Sequence, residues 1–278
     1  MFGFLHLPVA SPDFLAALRE GEITAIAYET IQDEQGNLPV LLPTSEVAGR
    51  LAPVIAGHLL GDIHEGRGIL LSGIPGIPPA AVVILGAGIL GSNAARAFLG
   101  AGAQVTVLDQ ELRRLQRIDQ ILDGRVVTML ATPYNIEKAV EFADVLVGAV
   151  HVAGQRAPIL VTRSMLRKMR PRAVILDFSI DSGGCIETSR PTTHRDPTFI
   201  AEGIIHYCVP NVPARVARTA SYALTNASLP YLLAIGREGV EAAIRQDYSL
   251  AQGVLLYKGR LANLRVAAAL GQEVEVTL

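Results

Sequence analysis

The stretch Val82-Val83-Ile84-Leu85-Gly86-Ala87-Gly88-Ile89-Leu90-Gly91 decides the fold. Apolar, mostly β-branched residues run straight into Gly-x-Gly-x-x-Gly and then into helical spacing. The pattern predicts a strand over 81–85, a tight turn and a helix over 91–100. Each glycine answers a separate steric demand. Gly86 permits the turn, Gly88 lets a pyrophosphate approach the backbone, and Gly91 lets helix and strand pack closely. The helix start offers free N–H groups and the positive end of its dipole to phosphates. A second strand over 104–108 ends in Asp109, eighteen residues after Gly91. A carboxylate there accepts both ribose hydroxyls and repels a 2′-phosphate, which favours NAD over NADP. Arg113 and Arg114 lie close by and keep NADP from being excluded. Gly-rich turns are common in proteins, but strand, helix and terminal acid together make this a dinucleotide-binding unit.

Outward from that unit, apolar β-branched runs recur at 126–130, 144–150, 173–178 and 204–209, with helical segments at 112–122, 136–142 and 163–169. Buried strands joined by helices predict an α/β fold, a doubly wound parallel sheet of Rossmann type. Towards the N-terminus, a helix over 11–19 has Ser11 as its cap. Strands are expected over 25–31 and 38–42 around the turn 33–37. A helix is expected over 45–60, capped by Ser45, with Pro53 inside it. Residues 61–79 read as a loop. After Pro213 the chain is helical to about Ala251, and a last helix is expected over 260–270. The division expected is a dinucleotide-binding domain over 43–217 and a second, smaller lobe built from 1–42 and 218–278.

Half of the 278 residues are hydrophobic, 18% are charged and the net charge is -2. That composition describes an ordered globular chain and argues against a nucleic-acid or anionic-membrane partner. Cys185 and Cys208, the two cysteines, fit a reducing cytoplasm without a structural disulfide or zinc site. No spacing of His, Cys and Asp points to a metal. The apolar N-terminus lacks the basic region of a signal peptide. The apolar stretch 77–90 is broken by prolines and glycines and does not read as a membrane span.

Several strings resemble the alanine dehydrogenase family, relatives of the NAD-binding subunit of proton-translocating transhydrogenase. They are FGFLHL (2–7), AIAYETI (25–31), SEVAGR (45–50), GIPGIPPA (73–80), VTVLDQ (105–110), PYNIEKAV (133–140), IDSGGCIETSRPTTH (180–194), HYCVPNVP (206–213) and YALTNASLPYLL (222–233). The resemblance implies reversible, NAD-dependent oxidative deamination of L-alanine to pyruvate and ammonia. It implies that His6 hydrogen-bonds the substituent on the reacting carbon and takes part in catalysis. Asp181 would handle protons for the amine and the attacking water at the nicotinamide end. Ser45 would contact the cofactor, Asn211 would belong to the active-site loop, and Asp109 would be the adenosine-ribose acid. The implied partners are a small amino or keto acid and further copies of the chain, family members being homo-oligomers and often hexamers. The chemistry suits these residue types. Deamination needs a hydride acceptor against Cα, a base that titrates near neutrality and a water to attack the imine.

Family members begin with a further segment before the FLHL string. It carries the arginine and lysine that grip the substrate carboxylate and carbonyl, and Met1 here stands five residues before His6. Weaker substrate positioning and an exposed apolar patch are expected of a chain without it. Two alternatives are an NAD-binding module or subunit that needs a separate N-terminal chain, and a dehydrogenase of another small amino or keto acid. Thr44, His151 and Val212 also depart from the family's usual residues. His194 and His206 are expected to bond locally, Cys185 to pack as a small hydrophobe, and the 222–233 string to serve packing.

Overall fold

A computed structural model describes residues 1–278, the side chain of His64 excepted. The chain runs β1 (Phe2–Gly3), α1 (Pro12–Glu20), β2 (Ala25–Ala27), α2 (Leu42–Leu59), β3 (Ala81–Leu85), α3 (Ile89–Gly100), β4 (Gln104–Asp109) and α4 (Leu112–Ile121). It continues through β5 (Val127–Leu130), α5 (Pro133–Phe142), β6 (Val145–Gly148), α6 (Arg163–Leu166), β7 (Val174–Asp177), β8 (Thr198–Ala201) and β9 (Ile204–Tyr207). The C-terminal part holds α7 (Ala217–Glu238), α8 (Val240–Gln246), α9 (Tyr248–Gly253), β10 (Val254–Tyr257), β11 (Arg260–Leu261) and α10 (Leu264–Ala269). Two compact units result. One comprises Met1–Thr44, Val152–Arg156 and Val216–Leu278, the other Ser45–His151 and Ala157–Arg215.

The second unit is built on a seven-stranded sheet of order β5-β4-β3-β6-β7-β9-β8. Every pairing is parallel except β8 with β9. The chain moves outward from β3 to β5 on one side, then returns to β6 and moves outward on the other. The order therefore reverses between β3 and β6, and ligands of such sheets bind outside the carboxyl ends of the strands at that reversal. Alternation along β3 feeds two cores. Val82 and Ile84 join Phe98, Val105 and Ile118 on one face, while Val83 and Leu85 join Ile136, Val140 and Leu166 on the other. Each such side chain taken fully from water contributes roughly 1.5–3 kcal/mol. Gly49 sets the approach of α2 to α3, because a Cβ there would lie 2.5 Å from the Leu90 carbonyl oxygen.

The first unit carries a four-stranded sheet, β1-β2-β10-β11, in which β1 and β2 are parallel and β10 is antiparallel to both its neighbours. Leu7, Leu18, Ala25, Leu255 and Leu256 pack in one core, and Ile26, Ile31, Ile244, Leu250 and Val254 in another. Among the described residues no helix is long and apolar enough to cross a membrane.

Several expectations are corrected. Residues 38–42 form no strand: Pro39 has no N–H for a ladder, and α2 already begins at Leu42 with Pro43 in its first turn, a favoured place for proline. Ser45 therefore lies inside the helix and is not its cap. Pro53 sits within α2 without ending it. The helix expected over 260–270 is strand β11 followed by α10, capped by the Asn263 side chain, which accepts from the N–H groups of Arg265 and Val266. The 222–233 string is helical and does pack, through Leu224 and Tyr231 against the core around Ile26 and Ile244, while Tyr222, Leu229, Leu232 and Leu233 on its other positions are exposed.

Candidate active site

The glycine turn between β3 and α3 is held by backbone geometry. Gly86 has φ of 108°, and a Cβ there would lie 2.5 Å from the Ala149 carbonyl oxygen. A Cβ on Gly91 would overlap the Gly86 carbonyl oxygen, so helix and turn meet only because Gly91 lacks one. Gly88 differs: its Cβ would meet no protein atom within 4 Å. The turn thus faces open space at Gly88, where α3 begins with its free N–H groups. Asp109, buried at the end of β4, ties the turn to its strand. Its Oδ2 accepts from the Ala87 N–H at 2.7 Å and its Oδ1 from the Glu111 N–H at 2.8 Å. A carboxylate has about four acceptor sites, so two backbone donors leave capacity for hydroxyls. Arg114 lies 3.8 Å from Asp109 and is paired with Glu111 at 2.9 Å. Open space at Gly88, helix N–H groups and an under-used carboxylate fit a dinucleotide.

A second cluster forms at the carboxyl ends of β6, β7 and β9. Asp181 lies in the 3₁₀ turn Phe178–Ser182 directly after β7. Its carboxylate accepts from the Asn211 N–H at 3.1 and 3.4 Å, and Asn211 holds a left-handed backbone with φ of 51°. Ser179 Oγ accepts from the Val150 N–H at 3.0 Å, and Ser182 Oγ lies 3.4 Å from His151 Nδ1. Three loops are thereby joined around Asp181.

Beneath this turn sits Asp177, which sequence reasoning missed. It is fully buried, and it accepts from the N–H groups of Ser179 at 3.1 Å and Cys185 at 3.0 Å and from the Ser189 hydroxyl at 2.6 Å. Gly148 and Gly184 make room for it, since a Cβ on either would come within 2.9 Å of its oxygens. Burial pushes the Asp177 carboxyl above the usual carboxylate range, against the pull of these donors. The cysteines are buried free thiols: burial pushes Cys185 well above its ordinary value and Cys208 up to about 12. Neither is poised as a nucleophile. His206, also buried, donates from Nδ1 to the Ile204 carbonyl at 2.9 Å, which leaves Nε2 to accept from Thr188 Oγ1 at 2.8 Å. Its bonding is local.

Ser45, in the first turn of α2, belongs to the same unit as Gly86, Gly88, Gly91, Asp109, Asp181 and Asn211. His6 belongs to the other unit, beyond the end of β1, with φ of 45° and ψ of 42°. The carboxylate of buried Glu29 accepts from the His6 N–H at 2.7 Å and from the Leu5 N–H at 3.2 Å. Nothing in the strings around Asp177 or Glu29 marks either acid, because each acts on backbone groups brought near by folding.

Residues 52–264 match the family model described as alanine dehydrogenase/PNT, C-terminal domain. The chain is 46% identical over 273 residues to an alanine dehydrogenase of Halomonas elongata, covering 98% of this chain and 73% of that protein. It is 47% identical over 271 residues to an alanine dehydrogenase of Mycobacterium tuberculosis, again covering 98% and 73%. Among solved structures it is similar to an L-alanine dehydrogenase with a TM-score of 0.86 and 41% identity, over 97% of this chain and 74% of that one. A transhydrogenase from Sinorhizobium meliloti shares the fold, with a TM-score of 0.72 at 19% identity over 94% of this chain and 74% of that one.

Proposed function

This chain belongs to the alanine dehydrogenase/transhydrogenase family, and from that premise we propose that it catalyses NAD-dependent oxidative deamination of L-alanine. L-alanine, NAD⁺ and water give pyruvate, ammonium, NADH and a proton; bound NAD supplies the hydride acceptor for Cα. Residues 43–217 carry the dinucleotide: Gly86, Gly88 and Gly91 admit the pyrophosphate, and Asp109 takes the ribose hydroxyls. Ser45 and Asn211 contribute to holding the cofactor. Asp181 receives the proton released from the amine and from water, its carboxylate oriented by the N–H that Asn211 donates to it. His6 hydrogen-bonds the substituent on the reacting carbon. Residues 1–42 and 218–278 belong to the lobe that meets the substrate.

The observation that carries the reading is the pairing of Asp181 with Asn211 at the sheet end that also holds the glycine turn and Asp109. The enzyme works in the cytoplasm as a homo-oligomer, and the exposed apolar residues of α7 support a second copy as neighbour.

The test is NADH formation from L-alanine and NAD at alkaline pH, with NAD binding followed by calorimetry. Asp181→Asn is expected to abolish turnover while NAD still binds. Wild-type chain that binds NAD but turns over no alanine overturns the proposal.

A further inference from the structure

We propose that Glu29 is a positioning residue for His6, holding the backbone turn that aims the imidazole; the inference rests on His6 acting in the reaction proposed above. Glu29 lies in the 3₁₀ turn Tyr28–Thr30 that follows β2 and is only 3% exposed. A carboxylate taken out of water needs donors in place of its hydration. Its donors here are consecutive backbone N–H groups. His6 donates to Oε1 at 2.7 Å, and Leu5 donates to Oε1 and Oε2 at 3.2 and 3.3 Å. Successive N–H groups pointing at one anion make a small concave anion site in the backbone.

The turn so held is an unfavourable one. With φ of 45° and ψ of 42°, His6 occupies the left-handed region, which a non-glycine residue keeps only when its surroundings impose it. On the other side of the same residue, the His6 carbonyl accepts from the N–H groups of Val9 at 3.0 Å and Ala10 at 3.1 Å. Glu29 fixes the N–H and the following turn fixes the carbonyl. The imidazole lies parallel to the Phe4 ring with centroids 6.0 Å apart, and Phe4 meets Tyr28, the neighbour of Glu29, edge-on. The β1–β2 pairing reaches only Gly3 and Ala27, so the Glu29 bonds act beyond the sheet, on the turn that carries His6.

The experiment measures kcat and KM for His6→Gln, Glu29→Gln, Glu29→Ala and the Glu29→Ala/His6→Gln double variant, with the histidine Cε1–H NMR signals of each folded protein. Misplacing a reacting group by about 1 Å lowers rates roughly a hundredfold, so Glu29→Ala is expected to lower kcat on that order. KM for NAD is expected to stay near the wild-type value. Glu29→Gln keeps an acceptor for the His6 N–H and is expected to lose less. In the His6→Gln background, Glu29→Ala is expected to cost nothing further. The His6 signal is expected to move in Glu29→Ala while that of His206 stays. An unmoved His6 signal, or full turnover in Glu29→Ala when His6→Gln is inactive, overturns the inference. Full turnover in His6→Gln instead overturns the role given to His6 itself, and the unmoved or shifted NMR signal still decides whether Glu29 places it. If Glu29→Ala does not fold, Glu29→Gln carries the same comparison.

Discussion

Gly88 and Gly91 stand three positions apart in one turn, yet an added methyl group meets opposite surroundings at the two. At Gly91 it overlaps the Gly86 carbonyl, so Gly91→Ala is expected to destabilise the fold by about 1–3 kcal/mol, the usual cost of overpacking. At Gly88 it meets no protein atom, so Gly88→Ala is expected to melt with the wild type while NAD affinity falls tenfold or more. Melting curves and calorimetric titration of the two variants separate these effects. A Gly88→Ala variant that binds NAD normally would remove the pyrophosphate from this turn. Asp177 makes a different demand, since all its described donors lie on the segment that carries Asp181 or just beyond it. Asp177→Asn turns one acceptor into a donor facing donors, which costs about 1–3 kcal/mol when buried. The urea midpoint should fall accordingly, and kcat should drop with it because the Phe178–Ser182 turn loosens.

Single elements were legible where one physical signal dominates. Runs such as Val82–Leu85 and Val105–Leu108 are mostly apolar and mostly β-branched because both faces of their strands are buried, so β3 and β4 could be placed from sequence within a residue. The hairpins were not legible. β8 turns into β9 through Glu202-Gly203, and β10 into β11 through Lys258-Gly259, with both residues of each pair at positive φ. Such two-residue turns are usually announced by Asn-Gly or Asp-Gly, and here the first position carries a residue that gives no such signal. Of the candidate site, the glycine turn and Asp109 could be read from spacing. His6, Ser45, Asp181 and Asn211 came only from resemblance, since a lone histidine or acid has no spacing to test. The β8–β9 pair carries its own pH dependence. Burial lowers the pKa of His206 from 6.5, so the unfolded chain takes up its proton at a higher pH than the folded one. The contribution of this group is complete above pH 6.5 and is lost as the pH falls from 6.5 through the lower folded value. Urea midpoints at successive pH values should decline over that window, and His206→Gln should flatten the decline. An identical slope in both proteins would exclude His206 as its source.

For the whole molecule, cofactor binding is a stability term. A ligand that binds only the folded chain stabilises it by RT ln(1 + [L]/Kd), about 2.7 kcal/mol at a hundred times Kd. The residues proposed to hold NAD are spread over much of the unit Ser45–His151 and Ala157–Arg215, from Ser45 to Asn211, so ordering them is expected to restrain loops after β3, β4, β7 and β9 together. NAD is therefore expected to raise the melting temperature and to slow amide exchange in these loops as a group. Discrimination between cofactors follows from Asp109. With the adenosine ribose on Asp109, as proposed, its carboxylate would repel a 2′-phosphate, and Arg114 is already paired with Glu111, which leaves less positive charge to receive that phosphate. At equal concentration NADP should shift the melting temperature less than NAD. Asp109→Ala should shrink the NAD shift and bring the two cofactors closer together. Equal shifts with NAD and NADP in the wild type would mean that Arg113 and Arg114 outweigh the carboxylate. A shift that survives unchanged in Asp109→Ala would place the ribose elsewhere on the sheet edge.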